Sequence, residues 1–313
     1  MQVEGYQAPL YPAQILRGLI KESLLFVLVV AGGLVTLAAG FDDVGVLVQK
    51  YWIVFLLAVF AATIANATAV GGGFVFMPLF SFGYGFGPVE SLKLALATQA
   101  FGMSSGAMSW SVKRIRGGIL LFSLIFALAG MAIGSYWIRP DIEHIHVMFG
   151  VVSILLAILI QIELRLSSSQ SWGDAISSPS ASGWLLFGGL CFVGGLITSW
   201  VSIGIGEVVA IWMLLRCRYP LVICVATGVA ALAICSIVGF IIHMDLGGIR
   251  WEILAFTAPG VMLGGRYGGK LGLLLARQNS RKTGEQSNGL RYLIVGVIAI
   301  DGIAVLLKSV IQG

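Results

Sequence analysis

Charge is scarce in this chain. Asp, Glu, Lys and Arg together make up 11% of its 313 residues, where soluble domains carry roughly a quarter. An ordinary water-facing globule is thereby excluded. Cysteine is sparse as well. Cys191, Cys217, Cys224 and Cys235 lie in or beside apolar runs and form no CxxC pair. They read as small core residues, so neither a disulfide framework nor a thiolate metal site is expected. There is no GK[ST] or HExxH, so nucleotide-driven pumping and zinc-dependent membrane proteolysis have no support, and no enzyme activity or cofactor is expected. Gly83-Tyr84-Gly85 lacks the preceding Thr-Val of a potassium filter. The net charge of +5 is no nucleic-acid footprint, because the basic residues sit at segment ends instead of on one patch.

Apolar residues are what is there: 58% of the chain, at a mean hydropathy of +0.98. The chain reads as an all-α polytopic membrane protein with the lipid bilayer as its solvent. A crossing needs about 20 apolar residues. Seven stretches qualify: 22–40, 88–111, 117–137, 143–163, 219–243, 251–275 and 290–311. The first is read as a retained helix, its polar lead being long for a cleaved signal.

Two further segments, 51–84 and 183–217, open on aromatics (Tyr51-Trp52 and Trp184) and are interrupted by glycine: Val70-Gly71-Gly72-Gly73, then Ile203-Gly204-Ile205-Gly206, 133 positions later. Glycine there breaks a helix and bares backbone N–H and C=O groups. In hydrocarbon that is tolerated only where protein or water surrounds the break. Each segment reads as a re-entrant hairpin with its glycines near the tip. With the N-terminus in the cytoplasm, this puts the Lys113–Arg116 cluster, Arg165, Arg216, Arg218 and the Arg277–Lys282 run inside and the C-terminus outside the cell membrane. The order hairpin, helix, basic-Gly corner, helix, helix occurs twice. The predicted organisation is a tail and extra helix at 1–50, a first repeat at 51–165, a linker at 166–182 and a second, inverted repeat at 183–313. Pro88 is aligned with Pro220, and Thr98, after a gap of a few residues, with Thr227. Paired helix breaks in two halves are the usual sequence pointer to a transporter's substrate site.

Val70-Gly71-Gly72-Gly73-Phe74-Val75-Phe76-Met77-Pro78 resembles the G-hydrophobic-G-G-G…P signature of the TauE/SafE sulfite exporter family. Ala97-Thr98-Gln99 through Ser104-Ser105-Gly106 is similar to the Thr/Ser-rich helix that follows in that family. The second half carries the related Gly204-Ile205-Gly206 and Ala226-Thr227-Gly228. The resemblance covers roughly residues 50–311. It implies passage of small sulfur-containing anions such as sulfite or organosulfonates. Two positions depart from the pattern: Glu207 stands where a hydrophobic residue is usual, and Ile211 where the first half has Pro78.

A small anion needs donors but little buried countercharge. The N–H groups of Gly71, Gly72, Gly73, Gly204 and Gly206 are candidates, at the starts of short helices. Asn66, Thr98, Gln99, Ser104, Ser105, Thr198, Ser199, Ser202 and Thr227 could supplement them, beside Gly228. The competing reading is that glycines allow close packing and hydroxyls bond neighbouring helices. Glu207 should lie deep in the membrane, where a carboxyl is functional by default. It either carries a coupling proton beside the anion, or is a structural acid bonded to a nearby backbone or to an arginine such as Arg216. Arg266 and Asp301 are expected to pair, more as a structural lock than as a substrate contact, and Lys270 to snorkel. Gly260, Gly264, Gly268 and Gly272 recur every four residues, which suits internal packing first, then a homodimer contact or a sliding surface. His144, His146 and His243 fall near the predicted outer face without ligand spacing, so they are read as interfacial and not as metal ligands.

The function these features favour is a secondary transporter working by alternating access around two glycine tips, with a small sulfur-containing anion as its partner. An anion channel on the same frame and a non-transporting membrane scaffold are the alternatives.

Overall fold

In the computed structural model, residues 12–41, 43–110, 114–138, 147–155, 157–158, 161, 179–245, 248–281 and 303 are described. The helices are α1 (Pro12–Gly40), α2 (Val44–Thr68), α3 (Gly73–Pro78, continued by a π turn over Leu79–Gly83), α4 (Pro88–Ser109), α5 (Gly117–Tyr136), α6 (147–155), α7 (Ala181–Val201), α8 (Ile205–Leu215), α9 (Leu221–Asp245) and α10 (Trp251–Arg281). There is no strand among the described residues. The expected helix 290–311, the Arg266–Asp301 pair through Asp301, and His144 and His146 lie outside the described residues.

By length and composition, four helices are apolar enough to cross a membrane among the described residues: Val44–Thr68, Gly117–Tyr136, Ala181–Val201 and Leu221–Met244. The first begins seven residues before the expected 51, because Asp43 caps it, its carboxylate accepting from Val46 N at 3.1 Å. Its 25 residues span about 37 Å, more than the roughly 30 Å of hydrocarbon. The expected crossing 22–40 is not among the four, its apolar helical part being only Phe26–Gly40, and neither are 88–111 and 251–275. These last two are screened from lipid along much of their length and carry glycine and hydroxyl faces in place of an all-round apolar surface.

Each glycine-broken segment folds back on itself. Tyr84, beyond the π turn, packs with its ring tilted against Tyr51 near the start of α2, centroids 5.6 Å apart. Trp212, near the end of α8, stacks at 5.1 Å on Phe187 near the start of α7. In both halves the chain therefore turns back after its break, while the first arm, Val44–Thr68 or Ala181–Val201, is long and apolar enough to cross a membrane.

Contacts fix the helix directions. Phe55, Val59 and Thr63 of α2 offer carbonyls to Gly260, Gly264 and Gly268 of α10, so the two helices run parallel. On α7, Phe192 and Leu196 offer carbonyls to Gly130 and Gly134 of α5, again in parallel. These contacts correspond at an offset of 133 or 134. Between α4 and α9 the order reverses: Leu96 meets Gly239 and Gln99 meets Ser236, so this pair is antiparallel. Between α4 and α10 it does not, since Thr98 meets Thr257 and Ser105 meets Met262. Met131 of α5 meets Gly239 of α9, and the Arg116 N–H at its start meets Thr227, so α5 and α9 are parallel. Helices α2, α4 and α10 thus point one way, and α5, α7 and α9 the other. These are the directions an inverted repeat requires.

The glycine stripe of α10 is an internal seam. A Cβ at Gly260 would stand 2.7 Å from Phe55 O, at Gly268 2.6 Å from Thr63 O, and at Gly272 3.1 Å from Ala67 O. Only bare Cα atoms permit that approach. Pro259 in the same helix has no N–H for the Ala255 carbonyl, which instead faces Gly33 of α1.

One matched pair of contacts closes each half. Trp110 Nε1 donates to Asn66 O at 2.8 Å, and His243 Nε2 donates to Ser199 O at 2.9 Å. Residues 110 and 243, like 66 and 199, are 133 apart. His243 is thus a fully buried strut with its ring edge-on to Trp200, which corrects the expected interfacial role: the ring N–H serves a carbonyl near the end of α7, where helical donors run out. The same offset places Thr227 opposite Leu94, not opposite Thr98. Trp110→Phe removes one such bond and is expected to cost about 1 kcal/mol in thermal unfolding.

The four cysteines are buried and form no disulfide.

Candidate functional site

Both tips are made by one local device. Helix α2 ends with Ala69 in the left-handed region (φ 60°), and α7 ends with Ser202 in the same conformation (φ 61°). After each left-handed residue the chain is irregular until the next short helix starts, at Gly73 or at Ile205. Gly204 has φ 128°, a conformation open essentially to glycine, and directly precedes α8.

The tips meet. A Cβ at Gly73 would be 2.7 Å from Ser202 O, and one at Gly206 would be 3.0 Å from Ala69 O. Residues 69 and 202 correspond, as do 73 and 206, so each tip lays its glycine on the other's last left-handed residue. The meeting point lies beside Gln99, halfway along α4, and beside Gly228 and Leu232, near the middle of α9.

The bared N–H groups are not idle. Gly71 N donates to Glu207 Oε1 at 2.7 Å, across the junction between the two halves. Gly204 N donates to Glu207 Oε2 at 3.1 Å. The second bond is the reach-back arm of a capping box, which Gly204, having no side chain, cannot reciprocate. Gly73 N donates to Gln99 Oε1 at 3.0 Å, Gln99 Nε2 donates to Ser236 Oγ at 2.8 Å, and Ser236 Oγ donates to Leu232 O at 2.7 Å. Ile205 N donates to Thr198 Oγ1 at 3.3 Å. Glu207 is 3% exposed. Arg216 does not reach it; its guanidinium lies against the Trp212 ring.

The fold therefore gathers Gly71, Gly72, Gly73, Gln99, Ser202, Gly204, Gly206, Glu207 and Gly228 in one place. Other candidates stand apart, most of their polar atoms spent inside the bundle, with Asn66 Oδ1 buried and unpartnered. Asn66 Nδ2 donates to Ala62 O and Gly102 O. Thr98 pairs with Thr257. Ser104 bonds Ala100 O, Ser105 bonds Met262 O, and Ser199 bonds Leu196 O. Thr227 bonds Ile223 O and receives Arg116 N. Arg266 is half-buried on α10, its carbonyl accepting from Ser109. Ser236 was not singled out by the sequence; its one signal was a lone hydroxyl in the middle of an apolar run. Among the described residues no group of three His, Cys, Asp or Glu could hold a metal.

A helical membrane bundle with two opposed, glycine-tipped hairpins defines a membrane transport protein. The chain belongs to the sulfite exporter TauE/SafE family, which it matches over residues 54–302. It is also similar to the probable membrane transporter protein YunE of Bacillus subtilis (strain 168), with 24% identity over 259 residues, 75% of this chain and 92% of that protein. No solved structure matches it.

Proposed function

We propose that this chain is a secondary transporter of a small anion, sulfite or an organosulfonate, and that the anion binds where the two tips meet. One observation carries the reading: N–H groups from both tips converge on a single pair of carboxylate oxygens. A place that holds a carboxylate with backbone donors has the chemistry to hold another oxyanion. The reciprocal seating of Gly73 and Gly206 puts the tips between helices of opposite direction, as a centrally placed, alternately exposed site would need. In this reading the N-terminus is cytoplasmic, the hairpins return to their own sides of the cell membrane, and a homodimer is compatible with the exposed apolar rim.

The test is a thermal-shift screen of the purified protein against sulfite, sulfate, thiosulfate, taurine, sulfoacetate and small carboxylates, followed by flux in proteoliposomes. Saturable, trans-stimulated flux of a sulfur oxyanion is expected. Flux without trans-stimulation would make the protein a channel, and neither flux nor ligand-dependent shift would make it a scaffold.

Glu207 is proposed to couple a proton to the anion. In Glu207→Gln one of the two tip N–H groups faces an amide donor in place of an acceptor. Flux is expected to fall at least tenfold, by about 1.4 kcal/mol or more, and its pH profile to flatten. A profile that keeps the wild-type shape removes Glu207 from the coupling.

A further inference from the structure

The partners of Glu207 belong to different halves of the chain. Gly71 lies in the first tip and Gly204 in the second, and each takes one oxygen of the same carboxyl. The surroundings are buried: Gly71, Gly204, Gln99 and Ser202 are all shielded. Where a Cβ on Gly71 would stand, Ser202 O is 3.2 Å away, Gln99 Oε1 3.4 Å and Glu207 Oε1 3.6 Å. The Ser202 hydroxyl at this rim is wholly buried and makes no hydrogen bond. So the place has two directed donors, an unused hydroxyl and an occupant whose two carboxyl oxygens answer those donors. Bare N–H groups at such a place are costly, and some acceptor must answer them.

We infer that Glu207 is the resident anion of the cargo site. The cargo is an oxyanion with two oxygens on one atom, and it takes over the N–H groups of Gly71 and Gly204 from the Glu207 carboxylate. A carboxylate, a sulfite and a sulfonate share that feature, so one pair of donors suits them all. A halide has one centre and cannot stand at both oxygen positions. Glu207 is therefore the residue that sets the class of cargo: it keeps the donors spaced for oxyanions and closed to single-atom anions. This inference rests on the transporter reading above.

The test uses the full chain with Glu207→Ala, which empties the cradle, and Glu207→Gln, which fills it with a neutral side chain. Melting temperature is measured against formate, sulfite and chloride at constant ionic strength. Glu207→Ala is expected to melt below wild type and to regain the loss saturably with formate and with sulfite, but not with chloride. Wild type and Glu207→Gln, whose cradles are already filled, are expected to gain less from formate than Glu207→Ala does. Absence of rescue by either oxyanion, or equal rescue by chloride, overturns the inference. If Glu207→Ala can be extracted folded only in formate, the inference stands. If it folds in neither salt while Glu207→Gln folds, the inference falls. Flux of sulfite by wild type separates the two proposals: flux without rescue leaves a transporter whose cargo does not replace Glu207, and rescue without flux leaves an oxyanion cradle in a protein that does not transport.

Discussion

Gly73→Ala is expected to abolish anion flux in proteoliposomes while leaving a folded, weakened protein. The new methyl would stand 2.7 Å from Ser202 O, 3.0 Å from Ile203 Cγ1 and 3.1 Å from Ser202 Cβ. The nearest of these is backbone, held by the left-handed turn that ends α7, so it cannot rotate away. Relief requires the tips to part. Parting lengthens the bond from Gly71 to Glu207 and pulls Gly73 N from Gln99. The overpacking costs about 1–3 kcal/mol, and each about 1.4 kcal/mol lost from the transport-competent arrangement is a tenfold loss of rate. Gly206→Ala meets Ala69 O at 3.0 Å and Gly228 O at 3.2 Å, so a smaller loss in the same direction is expected. Gly118→Ala is the control. Nothing stands within 4 Å of that methyl, and flux should match wild type. Equal flux in Gly73→Ala and Gly118→Ala would show that close apposition of the tips is not needed for transport.

The larger effect on stability is expected from Gly264→Leu. This glycine sits in the seam between α10 and α2, where even a Cβ would overlap the Val59 carbonyl and lie 2.8 Å from Ala62 Cβ and 3.0 Å from Thr63 N. The neighbouring Gly265 faces α4 just as closely, with Gly102 O at 2.5 Å from its Cβ position. Helix α10 is therefore wedged between two backbones and cannot back away from one without striking the other. A leucine there should cost more than about 3 kcal/mol. The measurement is the yield of monodisperse protein by size-exclusion chromatography with its melting temperature. A wild-type elution profile and melting point would mean that the seam tolerates separation. Gly72→Ala is a milder contrast, because its nearest atoms are the Phe76 ring at 3.2 Å, a side chain able to turn.

The tips were readable because glycine in the middle of an apolar run has few other uses. Their spacing of 133 was readable as well, and it recurs in Ala69 with Ser202 and in Trp110 with His243. Letter identity misled where it conflicted with that spacing. Thr98 and Thr227 look alike, but one bonds Thr257 across to α10 and the other its own helix. A small-xxx-small stripe announces close approach without naming the partner, so α10 could be seen to pack tightly but not to pack on α2. The acceptors for Gly71 and Gly204 were hidden for a similar reason. The bond from Gly71 to Glu207 joins residues 136 apart, and no local pattern encodes it. His243 was misplaced because its position near a helix end suggested the membrane surface, while the carbonyl it serves belongs to another helix.

The parallel pairing of α2 with α10 and of α5 with α7 has a mechanical consequence. Each pair draws one member from either side of the linker at 166–182, so the bodies that would rock against one another in alternating access are hybrids of the two halves. In the proposed alternating-access cycle the compliance lies where the α2–α4–α10 group meets the α5–α7–α9 group, along the antiparallel face between α4 and α9 that carries Gln99 and Ser236.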